Sequence, residues 1–133
     1  MLRMLAMGLL TCVGGAASAS DWVLVSRDVS GASHQTERSS YRILEGYRAG
    51  WTSVDRPAQG GAAAQRVVSL VYFDCVNRTA AMKSGTAYSP TGSVLTTETI
   101  AKDKLRWRSV TPGTIGDVHF RQVCSAPAAV ASR

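Results

Sequence analysis

The 133-residue chain lacks the short motifs that mark the common kinds of active site. It contains no G-x-S-x-G nucleophile motif, no H-E-x-x-H helix, no glycine-rich phosphate loop before a helix and no C-x-x-C pair. Its histidines are His34 and His119, and its nine acidic residues are scattered, with no pair that the pattern places in one pocket. The sequence therefore predicts no catalytic residue, no metal site and no cofactor, and it favours a protein that is not an enzyme.

After residue 19 the sequence also lacks an apolar run long enough for a transmembrane helix. The segment before that point differs, because Arg3 gives it a positive start, an apolar stretch follows, and a small-residue A-x-A site ends at Ala19. A buried N-terminal helix is the alternative, but the segment has no polar face and no acidic residue precedes Asp21. We predict that residues 1–19 are a secretory signal peptide and that the exported chain begins at Ser20.

Cysteine is scarce, with three in the chain. Cys12 lies in the predicted signal peptide, which leaves Cys75 and Cys124 in the exported protein. A metal site would need His or Cys partners at close spacing, a nucleophile would need a basic partner, and the sequence places neither beside Cys75. An oxidising compartment instead allows the one possible intramolecular pairing, which would stabilise the fold by about 4 kcal/mol because the closed loop is long. We therefore predict a Cys75–Cys124 disulfide.

Cys12 supports a second interpretation of the N-terminus, a lipoprotein signal. Lipoprotein signals have a small residue directly before the cysteine, whereas this chain has Thr11 there. The stretch after Cys12, VGGAASAS, is typical of a flexible tether. Attachment to the outer membrane through a lipid on Cys12 therefore stays open beside a signal peptide that is cleaved after Ala19.

The composition is that of one packed domain. The chain is 45% hydrophobic and 18% charged, which favours a folded core over disorder, and its length suits a single domain. Val, Thr, Ser and Gly are common in its middle part, as they are in strands. We predict one domain over residues 20–125 and a disordered tail over residues 126–133, which are polar and rich in alanine.

Period-two alternation and turn residues divide the domain into short strands. The strongest pattern is in residues 66–82, where Val71, Phe73 and Cys75 share one face and a bend is expected near Asn77. A turn is expected at the later SPTG stretch. The predicted strands are Trp22–Ser26, Thr36–Ile43, Glu45–Asp55, Arg66–Met82, Thr86–Ser89 and Ser93–Thr99.

Positive charge is concentrated in the alternating segment KDKLRWRSV, residues 102–110. Its four cations fall on one face and Asp103 falls on the other, with Leu105 and Trp107 turned toward the core. The segment is either a strand with a solvated basic side or part of a long loop. An exposed basic face of this kind is either a solubilising surface or a ridge that binds an anionic partner. The predicted binding ridge consists of Lys102, Lys104, Arg106 and Arg108.

A helix is predicted near the C-terminus, in the stretch TPGTIGDVHFRQVC. Thr111 can cap this helix, and Pro112 suits its first position. The helix ends at Cys124, where the predicted disulfide would attach it to the sheet. The residues expected to face inward are Ile115, Val118 and Val123.

The order of these features resembles the surface-adhesin protein E family of Gram-negative bacteria. The chain has a signal peptide, then WVLVS, the glycine–tryptophan strand GYRAGW, the stretch SLVYFDCVNR and the ending LRWRSVTPGTIGDVHFRQVC. The most specific parts are the stretch from Tyr72 to Cys75 and the ending from Trp107 to Cys124. The resemblance covers roughly residues 21 to 125, nearly the whole exported chain.

The resemblance implies an α+β fold in which a short C-terminal helix packs on an antiparallel β-sheet of about six strands. It implies the same disulfide, between Cys75 and Cys124, and it supplies no catalytic residues. The best-known member of the family is an outer-membrane lipoprotein that binds host surface and matrix proteins. The resemblance therefore also implies a surface adhesin.

These observations together predict an exported binding module of the cell envelope, located in the periplasm or at the outer-membrane surface. Loss of the signal peptide removes Arg3 and no acidic residue, so the formal charge falls from +6 to +5, which suits weak attraction to anionic surfaces. The predicted partner is an extracellular host or matrix protein or an acidic glycan, with no specific binding of nucleic acid. The alternative is a non-adhesive structural or accessory periplasmic protein of the same fold.

Overall fold

The computed structural model describes residues 20–57 and 64–127, together with the backbone of Ala129–Val130. The predicted signal peptide, with Cys12, lies outside the described residues. The division of the chain into a signal peptide, a domain and a tail therefore stays a prediction.

The fold is built on an antiparallel sheet in which each main strand pairs with its neighbours in the chain. These strands are β1 (Trp22–Arg27), β2 (Ser33–Leu44), β3 (Tyr47–Asp55), β4 (Arg66–Asp74), β5 (Thr79–Tyr88) and β6 (Val94–Thr99). A 3-10 helix at Lys102–Lys104 leads to the two-residue strand β7 (Arg108–Ser109), which pairs with β5. The helix α1 (Ile115–Ser125) follows, and β8 (Ala129–Val130), within the segment predicted as a tail, pairs in parallel with β2. The predicted antiparallel sheet of about six strands, the C-terminal helix and the disulfide are confirmed.

The β2–β3 hairpin has a two-residue turn at Glu45 and Gly46. Both residues have positive φ angles, 51° and 85° respectively. A type I′ turn requires this conformation at both of its central positions, and its twist matches that of the flanking strands. The third strand therefore begins at Tyr47 rather than at Glu45.

Residues 66–82, predicted as one bent strand, form parts of two antiparallel strands joined by a tight turn. The carboxylate of Asp74 accepts hydrogen bonds from the backbone N–H groups of Val76 at 3.2 Å and Asn77 at 3.1 Å. Arg78 then adopts a φ angle of 52°. A short acidic side chain that binds the backbone two and three residues further on stabilises a turn over a continued strand.

The helix begins three residues later than the sequence predicts. Thr114, not Thr111, is its N-cap, because the Thr114 hydroxyl accepts a hydrogen bond from the backbone N–H of Asp117 at 3.2 Å. Gly113 has a φ angle of 81°, a left-handed conformation that the first turn of an α-helix does not accommodate. Pro112 therefore lies in the turn before the helix.

The core lies between α1 and one face of the sheet. Phe120 and Val123 of α1 form a buried cluster with Tyr41 of β2 and Phe73 of β4. The rings of Phe73 and Phe120 meet edge to face, with their centroids 6.2 Å apart. Val123 is fully buried, as predicted, whereas Ile115 is only half-buried. The helix therefore presents its middle and its C-terminal turn to the sheet.

Two links attach α1 to the β4–β5 hairpin. The Cys75–Cys124 disulfide joins the end of the helix to the end of β4. Near the start of the helix, the buried carboxylate of Asp117 lies 3.0 Å from the guanidinium of Arg78, just before β5. The backbone N–H of Gly113 and this guanidinium hold the pKa of Asp117 below its usual value. The helix is thus fixed at both ends to the same hairpin.

Gly50 of β3 marks a very close approach between the sheet and the layer above it. A Cβ at this position would lie 2.9 Å from Cδ1 of Tyr41 and 3.3 Å from Cγ2 of Val123. Both neighbours are packed in the core, so neither can move away without disturbing other contacts. The absence of a side chain at Gly50 therefore allows the helix to rest on the backbone of the sheet.

Removal of the disulfide should lower stability strongly. The bond closes a loop with a sequence separation of 49 residues, for which the chain-entropy relation gives about 4 kcal/mol. The variant with Cys75→Ser and Cys124→Ser should therefore unfold at a much lower urea concentration and temperature than the oxidised protein. Reducing agent should lower the midpoint of the native protein to a similar value and leave the variant unchanged. Equal midpoints for the oxidised and reduced native protein would contradict this result.

Gly50→Ala should destabilise the protein by about 1–3 kcal/mol, because the added methyl group overpacks the core. Gly116→Ala is a matched control, since a Cβ there would meet its nearest neighbour, Oγ1 of Thr114, only at 3.7 Å. In the helix that change should stabilise the protein by about 0.5–1 kcal/mol. Chemical denaturation of the two variants measures both effects, and a neutral Gly50→Ala variant would be inconsistent with the packing described.

Candidate functional site

A cleft opens beside α1 on the face of the sheet that the helix only partly covers. The helix packs mainly against β1, β2, β3 and β4. The space between the first turns of the helix, the strands β4 and β5, and residues 98–111 has a volume of about 970 Å³. This cleft is the candidate functional site.

The floor of the cleft is apolar. Val71 in β4 is paired with Met82 in β5, and Phe73 is paired with Ala80, so the four side chains project from the same face. All four line the cleft. Phe73 also belongs to the buried core, whereas Val71 is half-buried and Met82 is 38% exposed. The floor therefore leaves apolar surface in contact with water.

One wall of the cleft is basic. Lys104, Arg106 and Arg108 line it, and all three side chains are exposed. Within residues 20–57 and 64–127, none of the three forms an ion pair. The acidic residue of the lining is Glu98. The wall thus carries positive charge that the described part of the protein leaves largely uncompensated.

The structure divides the predicted ridge of four cations between two places. Lys102 is exposed like the other three but does not line the cleft. Its ammonium group lies 3.3 Å from the carbonyl oxygen of Glu45 and 5.9 Å from the ring centroid of Tyr47. Gly50 of β3 faces α1. Tyr47 is three positions before Gly50 in the same strand, so it lies on the opposite face of the sheet. The structure therefore brings Lys104, Arg106 and Arg108 together and separates Lys102 from them.

Trp107 fixes the orientation of the basic wall. Its ring packs against that of Tyr47, with centroids 4.7 Å apart, and Tyr47 in turn stacks on Tyr72 at 5.9 Å. Trp107 is half-buried and belongs to this second aromatic cluster rather than to the core under α1. Because Trp107 is held on the far face, its neighbours Arg106 and Arg108 point into the cleft.

The second aromatic cluster is polar at its edge. The Tyr72 hydroxyl donates a hydrogen bond to the Glu45 carboxylate at 3.1 Å. Burial, together with this bond, raises the pKa of Tyr72 to about 12, so the phenol stays protonated. The ammonium group of Lys83 lies 3.7 Å from the same carboxylate and 5.9 Å from the Tyr72 ring. The polar groups of this cluster thus satisfy one another, in contrast to the cations of the cleft.

His119 of α1 lines the cleft as a neutral group. It is 8% exposed, and within the described residues its Nδ1 has no hydrogen-bond partner. Burial, with a smaller contribution from the charge of His34, lowers the pKa of His119 to about 4. His119 therefore adds no charge to the cleft at neutral pH.

The sequence analysis singled out a ridge of four cations, three of which line the cleft, and missed the apolar floor. The prediction that Val71 and Phe73 share one face was correct. Met82 and Ala80 are paired with these two residues because of the hairpin turn, which was not predicted. The carboxylate of Asp74, followed by Asn77, was the signal for that turn. Nothing in the sequence indicated that His119 would line the cleft, because this depends on how the helix packs on the sheet.

The arrangement suits non-covalent binding of an anionic group beside an apolar one. Within the described ranges, no three His, Cys, Asp or Glu side chains lie where they could share a metal ion. No helix in the described part of the chain is both long and apolar enough to cross a membrane. The cleft offers the cations of its basic wall and its apolar floor.

Comparison with known proteins identifies a family. No curated protein and no solved structure matches the chain significantly. The family described as surface-adhesin protein E, by contrast, matches over residues 22–125. The matched range runs from the first residue of β1 to the last residue of α1, so it includes the strands β1 to β7, the cleft and both cysteines. The chain belongs to the surface-adhesin protein E family.

Proposed function

We propose that this protein is an exported, non-enzymatic adhesin of the cell envelope that binds an acidic partner at the cleft. The observation that carries the proposal is the basic wall of Lys104, Arg106 and Arg108, which has no ion-pair partner in the described part of the chain. Exposed cations add little to the stability of a fold. Three of them beside one cleft attract an anionic surface and orient its approach.

The family supports the location and the kind of partner. A surface adhesin acts outside the cell that makes it, and its partners are molecules of a host. In this proposal the partner is a host or matrix protein or an acidic glycan, bound at the outer-membrane surface. A structural or accessory role in the periplasm would leave the basic wall without a ligand.

Export is part of the proposal, with residues 1–19 as a signal peptide that is removed after Ala19. The disulfide agrees with export, since such bonds persist in oxidising compartments. The domain then covers residues 20–125.

The exported protein should begin at Ser20. Intact-mass measurement of protein extracted from the cell envelope should give the mass of the chain without residues 1–19 and with one disulfide. A heavier species that retains Cys12 and carries acyl chains would instead establish the lipoprotein form.

Reversal of charge on the basic wall should weaken attachment without unfolding the protein. The variant with Lys104→Glu and Arg106→Glu should bind surfaces coated with heparin or with an acidic peptide about tenfold or more weakly, a loss of about 1.4 kcal/mol per tenfold. Rising salt should weaken the native protein, because the charges are exposed and screened. The melting temperature should change little, as exposed charges contribute about 0–1 kcal/mol.

A matched control keeps the net charge of the variant but spares the cleft. Arg27 and Arg42 are exposed and do not line the cleft, so reversing both to Glu changes the total charge equally. This control should retain most of the binding. Equal losses in the two variants would mean that overall charge, not the cleft, attracts the partner, and would contradict the proposed function.

A further inference from the structure

The apolar floor of the cleft has no role in a site that binds charge alone. A polyanionic glycan carries no apolar side chains, so it would use the basic wall and leave Val71 and Met82 in water. Burial of apolar surface is the dominant favourable contribution to most protein association. A ligand that uses the whole cleft therefore combines acidic and apolar groups.

Two cations of the basic wall lie at alternate positions of the sequence. Arg106 and Arg108 line the cleft, whereas Leu105 and Trp107 do not. Alternate residues of an extended chain lie about 6.6 Å apart on one side. Acidic residues at alternate positions of a second extended chain have the same spacing. Each guanidinium can also hold a carboxylate through two parallel hydrogen bonds.

The size of the cleft fits a segment of a polymer. Its volume of about 970 Å³ is at the upper end of the range of about 300–1,000 Å³ for small-molecule pockets, which enclose most of their ligand. This cleft is only partly enclosed instead. A segment of a continuous chain can therefore lie in it without being enclosed.

We propose that the cleft binds an extended, acidic peptide segment that carries apolar side chains, so that the partner is a protein. This inference rests on the proposed function, because the same basic wall carries both. Carboxylates of the segment bind Arg106 and Arg108, and its apolar side chains cover Val71 and Met82. Glu98 repels acidic groups at its position in the lining, so the segment places a neutral residue there.

Four labelled probes test the chemistry of the ligand by fluorescence anisotropy. They are a peptide that alternates Asp with Leu, one that alternates Asp with Ser, one that alternates Lys with Leu, and a heparin fragment. The Asp–Leu peptide should bind about tenfold or more tightly than the Asp–Ser peptide, since each methylene buried is worth about a factor of four. The Lys–Leu peptide should not bind, because it meets the basic wall with like charge.

Paired variants locate the binding in the cleft. Met82→Thr removes apolar surface from the floor, retains strand propensity and should weaken the Asp–Leu peptide about fivefold. Leu24→Thr is the control, because Leu24 is a strand residue that is 49% exposed and lies outside the cleft. Arg106→Glu should weaken the same peptide, and Arg42→Glu should not. Thermal unfolding of each variant checks that the fold is retained.

Three results would overturn the inference in distinguishable ways. Equal binding of the Asp–Leu and Asp–Ser peptides, with no effect of Met82→Thr, would show that the floor takes no part. Binding of heparin without binding of either acidic peptide would make the ligand a glycan and leave the proposed function standing. Failure of every acidic probe to bind would remove both the inference and the proposed function.

Discussion

The attachment of α1 to the β4–β5 hairpin determines how much of the sheet face the helix covers. The disulfide to Cys75 and the ion pair with Arg78 hold the two ends of the helix to the two sides of one turn. Gly50 lets the helix lie close to the sheet at β3. A short helix held in this way covers only part of the sheet face. The cleft is the part that the helix leaves open.

The segment between β6 and α1 turns this open face into a charged cleft. In this segment Trp107 packs with Tyr47 on the far face, while Arg106 and Arg108 line the cleft. The aromatic contact thus fixes the orientation of cations that have no ion-pair partner of their own in the described ranges. Aromatic packing on one face and the basic wall on the other come from the same few residues.

The fold could be predicted from the sequence where the signals are local. Period-two patterns place the strands, and a single remaining pair of cysteines leaves one disulfide. The prediction of one bent strand over residues 66–82 was wrong. The apolar alternation resumes after the turn at Asp74, so the pattern does not reveal the turn. The predicted start of the helix was also wrong. Thr111 and Pro112 are residue types that often begin a helix, but the left-handed conformation of Gly113 makes the helix begin later in the chain. The cleft floor could not be predicted, since it depends on how far a helix extends over a sheet.

Hydrogen exchange of the protein with and without the acidic Asp–Leu peptide tests most directly whether the cleft is the binding surface. Residues 105–107 lie outside regular secondary structure, so their backbone N–H groups should exchange quickly in the free protein. The account predicts that the bound peptide slows exchange there and in β5, and leaves β1 unchanged. Protection confined to the opposite face around Tyr47, with no change over residues 105–107, would contradict it.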